Sequence, residues 1–152
     1  MKKILVSACL LGFECRYDGK SKPCEKLLSL AKDDTVLIPV CPEQLGGLPT
    51  PRLPSERQRT DKGALKSVRC KGAVLMNDGT DVTANYKKGA AIALEAAKLN
   101  DVDCAVLKSG SPSCGKGLIY DGSFSGAKAE GNGVTAELLL KNGFKVLTEE
   151  EL

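Results

Sequence analysis

The strongest constraint on the fold is a set of short apolar runs that recur along the chain. Five runs rich in β-branched residues are nearly continuous rather than alternating: Lys3–Ala8, Val36–Val40, Gly72–Met76, Cys104–Lys108 and Lys145–Leu147. Continuous apolar runs of this length are typical of strands buried on both faces of a parallel sheet. The pattern therefore predicts a mostly parallel sheet that contains these five segments.

Helical patterns lie between the runs, at strand spacings of roughly 30 residues that are typical of βαβ units. The predicted helices are Pro23–Lys32, Ala84 to about Leu99 with Thr83 as N-cap, and Val134–Asn142 with Gly143 at the C-cap position. We expect an α/β fold in a Rossmann-like, three-layer arrangement, with helices flanking the sheet. One domain spanning residues 1–152 is expected, and the proline-containing stretch Leu48–Arg69 is predicted to be an ordered loop.

The chain contains seven cysteines and no histidine. Without histidine, nucleophilic sites of the Ser-His-Asp and Cys-His types are excluded, and so are zinc sites built on imidazole. An odd number of cysteines cannot pair completely in disulfides within one chain. We therefore interpret the cysteines as reduced thiols, some of them ligands, in a cytoplasmic protein.

Charge and targeting patterns argue against a nucleic-acid or membrane partner. The net charge of +3 and the 4% of aromatic residues give little support for a nucleic-acid partner. The N-terminus, Met1–Cys9, imitates a secretion signal, but its apolar run of about five residues is shorter than the ~7–15 of a working signal. No run approaches the ~20 apolar residues that cross a bilayer, so we expect no membrane partner. The oligomeric state is not indicated by any of these patterns.

Three of the cysteines follow predicted strands. Cys9 and Cys41 come directly after the first and second strands, and Cys114 lies in the loop after the fourth. Because the carboxyl ends of parallel strands meet at one edge of the sheet, these thiols should face one crevice. Cys15 is close enough to Cys9 to be a reserve ligand. The remaining three are interpreted as bystanders: Cys24 near a helix start, Cys70 before the third strand and Cys104 as a small buried hydrophobe.

Three thiols without histidine suit an iron–sulfur cluster better than structural zinc, which usually takes four ligands in C-x-x-C pairs. A [4Fe–4S] cluster held by three cysteines leaves one iron open to act as a Lewis acid. Glu43, two residues after Cys41, is a candidate proton donor or acceptor. Hydroxyls surround Cys114 at Ser109, Ser111 and Ser113. From spacing alone, unrelated core cysteines and a turn with serine caps remain open alternatives.

Several motifs together resemble one family, the domain of unknown function 523, which is the stand-alone domain of the thiouracil desulfurases. The matching motifs cover nearly the whole chain: Ser7–Gly12, Cys15–Gly19, Cys41–Glu43, Gly46–Leu48, Pro51–Arg52, Asp81–Thr83, Ser111–Gly115, Tyr120–Phe124 and Gly131–Ala136.

The resemblance implies a function and a set of site residues. It implies that Cys9, Cys41 and Cys114 hold a [4Fe–4S] cluster whose free iron takes the sulfur of a thiolated pyrimidine. Glu43 would be the catalytic glutamate, and the catalytic serine would lie within Ser109–Ser113, with Ser111 favoured. The expected reaction is non-redox removal of sulfur from a small thiocarbonyl compound such as 2-thiouracil.

Two functions of other classes use the same cysteines. A non-catalytic metal or sulfur carrier would bind the cluster or metal without turnover and would be indifferent to Glu43→Ala. A thiol redox sensor would need an oxidisable pair such as Cys9 and Cys15, and no metal.

Overall fold

The computed structural model describes residues 1–32, 34–58 and 72–152. Cys70 and positions 59–69 of the predicted loop lie outside these described residues. The described strands and α-helices are, in chain order, β1 (Lys2–Ser7), α1 (Glu25–Leu28), β2 (Thr35–Val40), α2 (Pro42–Leu45), β3 (Ser55–Arg57), β4 (Val74–Met76), α3 (Thr83–Asn100), β5 (Cys104–Leu107), β6 (Leu118–Tyr120), β7 (Lys128–Glu130), α4 (Val134–Lys141) and β8 (Val146–Thr148).

Four of the strands form a parallel sheet in the order β2–β1–β5–β8. In the register of the central pairs, Ile4 of β1 lies opposite Leu37 of β2 and Cys104 of β5. β8 completes the sheet through the pairing of Ala105 with Val146. The predicted α/β class is confirmed, and four of the five apolar runs supply the sheet strands. Because all four strands are parallel, their carboxyl ends share one edge.

Helices cover both faces of this sheet. On one face, Leu5 and Leu107 pack with Ala97 of α3 and Leu139 of α4. On the other face, Val6, Val106 and Ile4 pack with Leu27 of α1 and with a 3₁₀ helix, Ala8–Leu11, that directly follows β1. Burial of both sheet faces explains why the strands read as continuous apolar runs.

The third apolar run does not join the parallel sheet, so that part of the prediction is wrong. β4 pairs antiparallel with β3 in a separate two-stranded sheet, with Leu75 opposite Glu56. Its apolar side chains are buried in a small cluster of their own, where Val74 packs with Leu48, Val82 and Tyr86. An apolar run indicates only that a segment is buried. β4 is buried by this cluster, which includes Tyr86 of α3, rather than by neighbouring parallel strands.

Helix ends also differ from the predictions. α3 already includes Thr83, so the prediction of Thr83 as its N-cap is wrong; the carboxylate of Asp81 accepts hydrogen bonds from the Thr83 N–H (2.9 Å) and hydroxyl (2.6 Å). α1 occupies only four residues of the predicted Pro23–Lys32 helix. The small hairpin formed by β6 and β7 was not predicted, because each strand is only three residues long and most of its side chains are exposed. Among the described residues, no helix is long and apolar enough to cross a membrane.

Candidate active site

A cavity of about 290 Å³ lies at the carboxyl edge of the parallel sheet. Its walls come from the segments that follow β1, β2 and β5, and from the proline-containing segment that precedes β3. The side chains in these walls that can bind a metal or transfer a proton include Cys9, Cys15, Cys41, Glu43, Ser111 and Cys114. This is the edge at which the parallel topology predicts a ligand site.

The cavity brings together the three thiols that the strand order singled out. Cys9 lies in the 3₁₀ helix after β1, Cys41 immediately precedes α2, and Cys114 lies in the loop after β5. The reserve candidate, Cys15, lines the same cavity, and its backbone carbonyl accepts a hydrogen bond of 3.7 Å from the Cys41 thiol. All four are free thiols.

Two other described cysteines do not line this cavity. Cys24 precedes α1, and Cys104 begins β5, where it is 6% exposed. Cys104 is thus a buried apolar-type residue at the opposite edge of the sheet, as the sequence predicted.

Burial and crowding keep three of the cavity thiols protonated. Burial raises the pKa of Cys114, and the nearby charge of Glu43 raises it further. The pKa of Cys41 is raised by its hydrogen bond with Cys15 and by burial. The Cys41 hydrogen bond lowers the pKa of Cys15, but the hydrogen bond with Cys9 and burial outweigh it and raise that pKa to about 11. Any metal group bound by these sulfurs would therefore displace protons as it binds.

Glu43 lies in the first turn of α2 and is 9% exposed. Its carboxylate faces two of the predicted site residues. Oε2 lies 3.6 Å from the Cys41 Sγ, and Oε1 lies 3.5 Å from the Ser111 Oγ. A buried carboxylate between a thiol and a hydroxyl is an arrangement suited to moving protons.

Close backbone packing fixes the position of α2 and therefore of Glu43. At Gly46 a Cβ atom would collide with the carbonyl oxygen of Asn85, and at Gly89 it would collide with the carbonyl oxygen of Pro42. The side-chain amide of Asn85 also donates a hydrogen bond of 2.9 Å to the Gly46 carbonyl. These contacts require glycine at both positions and join α2 firmly to the long helix α3.

The structure separates the two candidate serines. The Ser111 Oγ accepts hydrogen bonds from the N–H groups of Ser113 and Cys114, both at 3.1 Å, and its own hydrogen is directed to Glu43. Ser109 also lines the cavity, but its hydroxyl donates to the carboxylate of Glu149 at 2.7 Å. Ser111 is therefore the serine that contacts Glu43.

The remaining serine of this loop is a structural residue. Ser113 is fully buried and its hydroxyl shares a 2.8 Å hydrogen bond with that of Thr135 in α4.

Several polar residues that line the cavity were not predicted as site residues, among them Arg52, Glu56 and Tyr86. Tyr86 is buried in α3, and burial together with the charge of Glu43 raises its pKa. The helical spacing had suggested only a core position for this residue. Arg52 is part of the motif Pro51–Arg52, but that motif alone gave it no role. The neighbouring prolines indicated only that its segment is an ordered loop.

The donor set suits a group larger than one ion. Within residues 1–32, 34–58 and 72–152, no three His, Cys, Asp or Glu side chains converge closely enough to hold a single metal ion. Instead, four free thiols line one cavity together with Glu43. Thiolates arranged around a space are the usual ligands of iron–sulfur clusters, so these residues fit such a group.

Comparison with known proteins identifies the family of the chain. The family model described as 2-thiouracil desulfurase matches residues 4–151. The chain belongs to the 2-thiouracil desulfurase family. The resemblance found in the sequence motifs is thereby confirmed.

Two relatives of this desulfurase family member cover nearly its whole length. The uncharacterized protein YbbK of Bacillus subtilis (strain 168) is 45% identical over 150 residues, which span 98% of this chain and 97% of YbbK. A solved structure described as the [4Fe–4S]-dependent thiouracil desulfidase TudS superimposes with a TM-score of 0.86 at 42% identity. That match covers 100% of this chain and 93% of TudS. At this identity and coverage, the chain shares the fold of TudS.

Proposed function

We propose that this protein is a [4Fe–4S]-dependent desulfurase that removes sulfur from a small thiolated pyrimidine such as 2-thiouracil. The observation that carries the proposal is the meeting of Cys9, Cys41 and Cys114 in one cavity beside Glu43 and Ser111, in a member of the desulfurase family. We further propose that residues 1–152 act as one domain in the cytoplasm, where thiols stay reduced.

Cys9, Cys41 and Cys114 are the residues that would hold the cluster, with Cys15 as the reserve ligand. When bound through three thiolates, such a cluster supplies an iron without a protein ligand, which can bind sulfur and polarise the carbon–sulfur bond as a Lewis acid. The absence of histidine from the chain is no obstacle, because thiolates provide every ligand.

The overall reaction exchanges sulfur for oxygen without transferring electrons. A thiocarbonyl and water give a carbonyl and hydrogen sulfide: water forms the new carbon–oxygen bond, the carbon–sulfur bond breaks, and both water protons leave with the sulfur. The protein therefore needs one group that takes a proton from the attacking water and returns it to the leaving sulfur.

Glu43 is that group in this proposal. Its Oε2 lies beside the Cys41 thiol, at the cluster-binding end of the cavity, where it can accept a proton from water and later give it back. Burial of the side chain keeps bulk water from competing for the proton.

Ser111 orients Glu43. Its two lone pairs accept the N–H groups of Ser113 and Cys114, so its hydroxyl hydrogen is available to donate to Glu43 Oε1. With Oε1 held in this way, Oε2 is left facing the reacting atoms. Ser109, the second candidate, is directed to Glu149 and would contribute less.

The size of the cavity favours a small substrate. A volume of about 290 Å³ is at the lower end of the range of small-molecule sites, which suits a base or nucleoside better than a folded RNA. The modest net charge of +3 supports the same conclusion, because nucleic-acid binding depends on concentrated positive charge.

The test is an anaerobic assay of the reconstituted protein with 2-thiouracil. We expect uracil and sulfide in equal amounts without added oxidant or reductant. Cluster binding without turnover would instead identify a carrier. A metal-free protein that forms a Cys9–Cys15 disulfide on mild oxidation would identify a redox sensor. Full activity of Cys9→Ala would also contradict the proposal.

A further inference from the structure

Arg52 carries a charge that its protein neighbours leave uncompensated. It lines the cavity, yet in the described part of the chain no carboxylate lies within ion-pair distance of its guanidinium. The other two cations of the cavity wall are engaged elsewhere. Lys108 forms a 2.8 Å ion pair with Glu149, and the guanidinium of Arg16 lies 5.8 Å from the centre of the Tyr17 ring.

Neutral oxygens hold the Arg52 guanidinium in a fixed orientation. Its Nη1 donates to the Pro49 carbonyl at 3.3 Å and to the Thr50 hydroxyl at 3.1 Å, and its Nη2 donates to the Cys15 carbonyl at 3.0 Å. A guanidinium has five N–H donors, so the Nε–H and one Nη2–H have no hydrogen-bond partner among the described residues. These two donors are available to a ligand.

The fixed cation lies near the thiols. The Cys15 carbonyl that accepts from Arg52 also lies 3.7 Å from the Sγ of Cys41. One carbonyl oxygen therefore separates the guanidinium from a proposed cluster ligand. Arg52 and the thiols line the same cavity, so a ring held there with its sulfur next to the cluster could present another substituent to this donor.

We propose that Arg52 binds the exocyclic oxygen of the thiolated pyrimidine and thereby selects oxo-substituted over amino-substituted thiobases. Arginine donates hydrogen bonds and never accepts them, so it pairs with a ring carbonyl and leaves a ring amino group unpaired. Sites built to bond one polar substituent discriminate strongly against a substrate that lacks it. This inference rests on the proposed desulfurase function and names the substrate feature that the site recognises.

The test measures binding of uracil and cytosine to the cluster-loaded protein by equilibrium dialysis. Neither base carries sulfur, so their affinities report contacts between the ring and the protein. Arg52→Gln should weaken uracil binding about tenfold or more, because a charge-assisted hydrogen bond is lost. Cytosine should lose less, because glutamine can also accept. Arg52→Lys, which still only donates, should keep the preference for uracil. Arg57→Gln, which removes an arginine that does not line this cavity, is the control and should leave the ratio of the two affinities unchanged.

Turnover should follow the same pattern. Arg52→Gln should lower the ratio of kcat/KM for 2-thiouracil over 2-thiocytosine by about the same factor as the ratio of affinities. Iron content and thermal unfolding of each variant are measured in parallel.

Two results would overturn the inference. One is an unchanged uracil-to-cytosine ratio in Arg52→Gln. The other is an equal loss for both bases, which would make Arg52 only a clamp between two loops. Should Arg52→Gln fail to fold or to bind iron, Arg52→Lys decides alone: a retained uracil preference supports the inference and a ratio near one refutes it. A wild-type protein that binds uracil but does not desulfurate 2-thiouracil would refute the proposed function and not the recognition.

Discussion

The two edges of the parallel sheet each carry a buried cysteine, but the groups around the two thiols differ. Cys104 begins β5 and Cys114 follows its carboxyl end; both are buried, and burial raises the pKa of each thiol. The charges that act on Cys104 come from Lys2, Lys145 and Asp103, on the chain segments next to the strand starts. Cys114 instead meets a carboxylate, a second thiol and two serine hydroxyls. Burial is common to the two thiols, and the neighbouring groups distinguish the proposed cluster ligand from the core residue.

The same contrast occurs within one loop and between two buried glutamates. Ser109 and Ser111 both line the cavity, but one hydroxyl is directed to Glu149 and the other to Glu43. Glu56 accepts hydrogen bonds from two backbone N–H groups, whereas Glu43 faces a thiol and a hydroxyl. Each pair offers a proposed functional residue with a matched control.

Removal of one cavity thiol should have the largest effect. Cys114→Ala should abolish desulfuration and sharply lower the iron content after anaerobic reconstitution, because one of three cluster ligands is missing. Cys104→Ala should keep its iron and its activity, and should lower the free energy of unfolding by about 1 kcal/mol. Iron analysis and the thiouracil assay measure both. Equal iron loss in the two variants would contradict the assignment of Cys114, and not Cys104, as a cluster ligand.

Neutralising the cavity carboxylate should come next. Glu43→Gln should lower kcat by about 10²- to 10⁴-fold, because the proton acceptor is lost, while iron content stays at the wild-type level. Glu56→Gln is the control and should retain most of the activity. If the two glutamine variants turned over equally well, Glu43 would have no special part in proton transfer.

The serine pair should show a smaller difference. Ser111→Ala should lower kcat about 10- to 100-fold, since Glu43 loses the donor that holds its Oε1. Ser109→Ala should leave kcat near the wild-type value and lower the free energy of unfolding by about 1 kcal/mol. Steady-state kinetics and denaturant unfolding separate the two effects. A larger kinetic loss in Ser109→Ala would reverse the assignment of the two serines.

The smallest expected effect concerns the pH dependence of stability. Burial raises the pKa of Glu56, although the N–H groups of Phe124 and Gly122 partly oppose it. The folded state therefore favours the protonated carboxyl. Its contribution to stability is complete below the ordinary pKa of glutamate and is lost as the pH rises through the raised pKa. Glu56→Gln should lose less unfolding free energy than wild type between about pH 4 and about pH 7. Denaturant unfolding of both proteins at the two pH values measures this, and an equal change in the free energy of unfolding for wild type and Glu56→Gln would contradict it.

The features predictable from sequence were those set by the spacing of apolar residues along the chain and by the parallel order of the strands. Continuous apolar runs predicted β1, β2, β5 and β8, and the common carboxyl edge brought Cys9, Cys41 and Cys114 to one cavity. The partner of β4 was not predictable, because an apolar run does not reveal whether a sheet or a helix will bury it.

Side-chain partners from distant segments were beyond prediction. The choice between Ser109 and Ser111 depends on Glu149, which follows β8 some 40 positions later, and on Glu43 in α2. The number of Arg52 N–H groups left for a ligand depends on the backbone carbonyls of Pro49 and Cys15, whose direction is set by the folded loops.

The most direct test of the account is the iron and acid-labile sulfide content of the protein purified without air, measured together with its conversion of 2-thiouracil. The account predicts about four iron and about four sulfide ions per chain in the active protein, with loss of both in Cys9→Ala, Cys41→Ala and Cys114→Ala. Desulfuration by a protein free of iron, or iron bound without labile sulfide in the active protein, would contradict it.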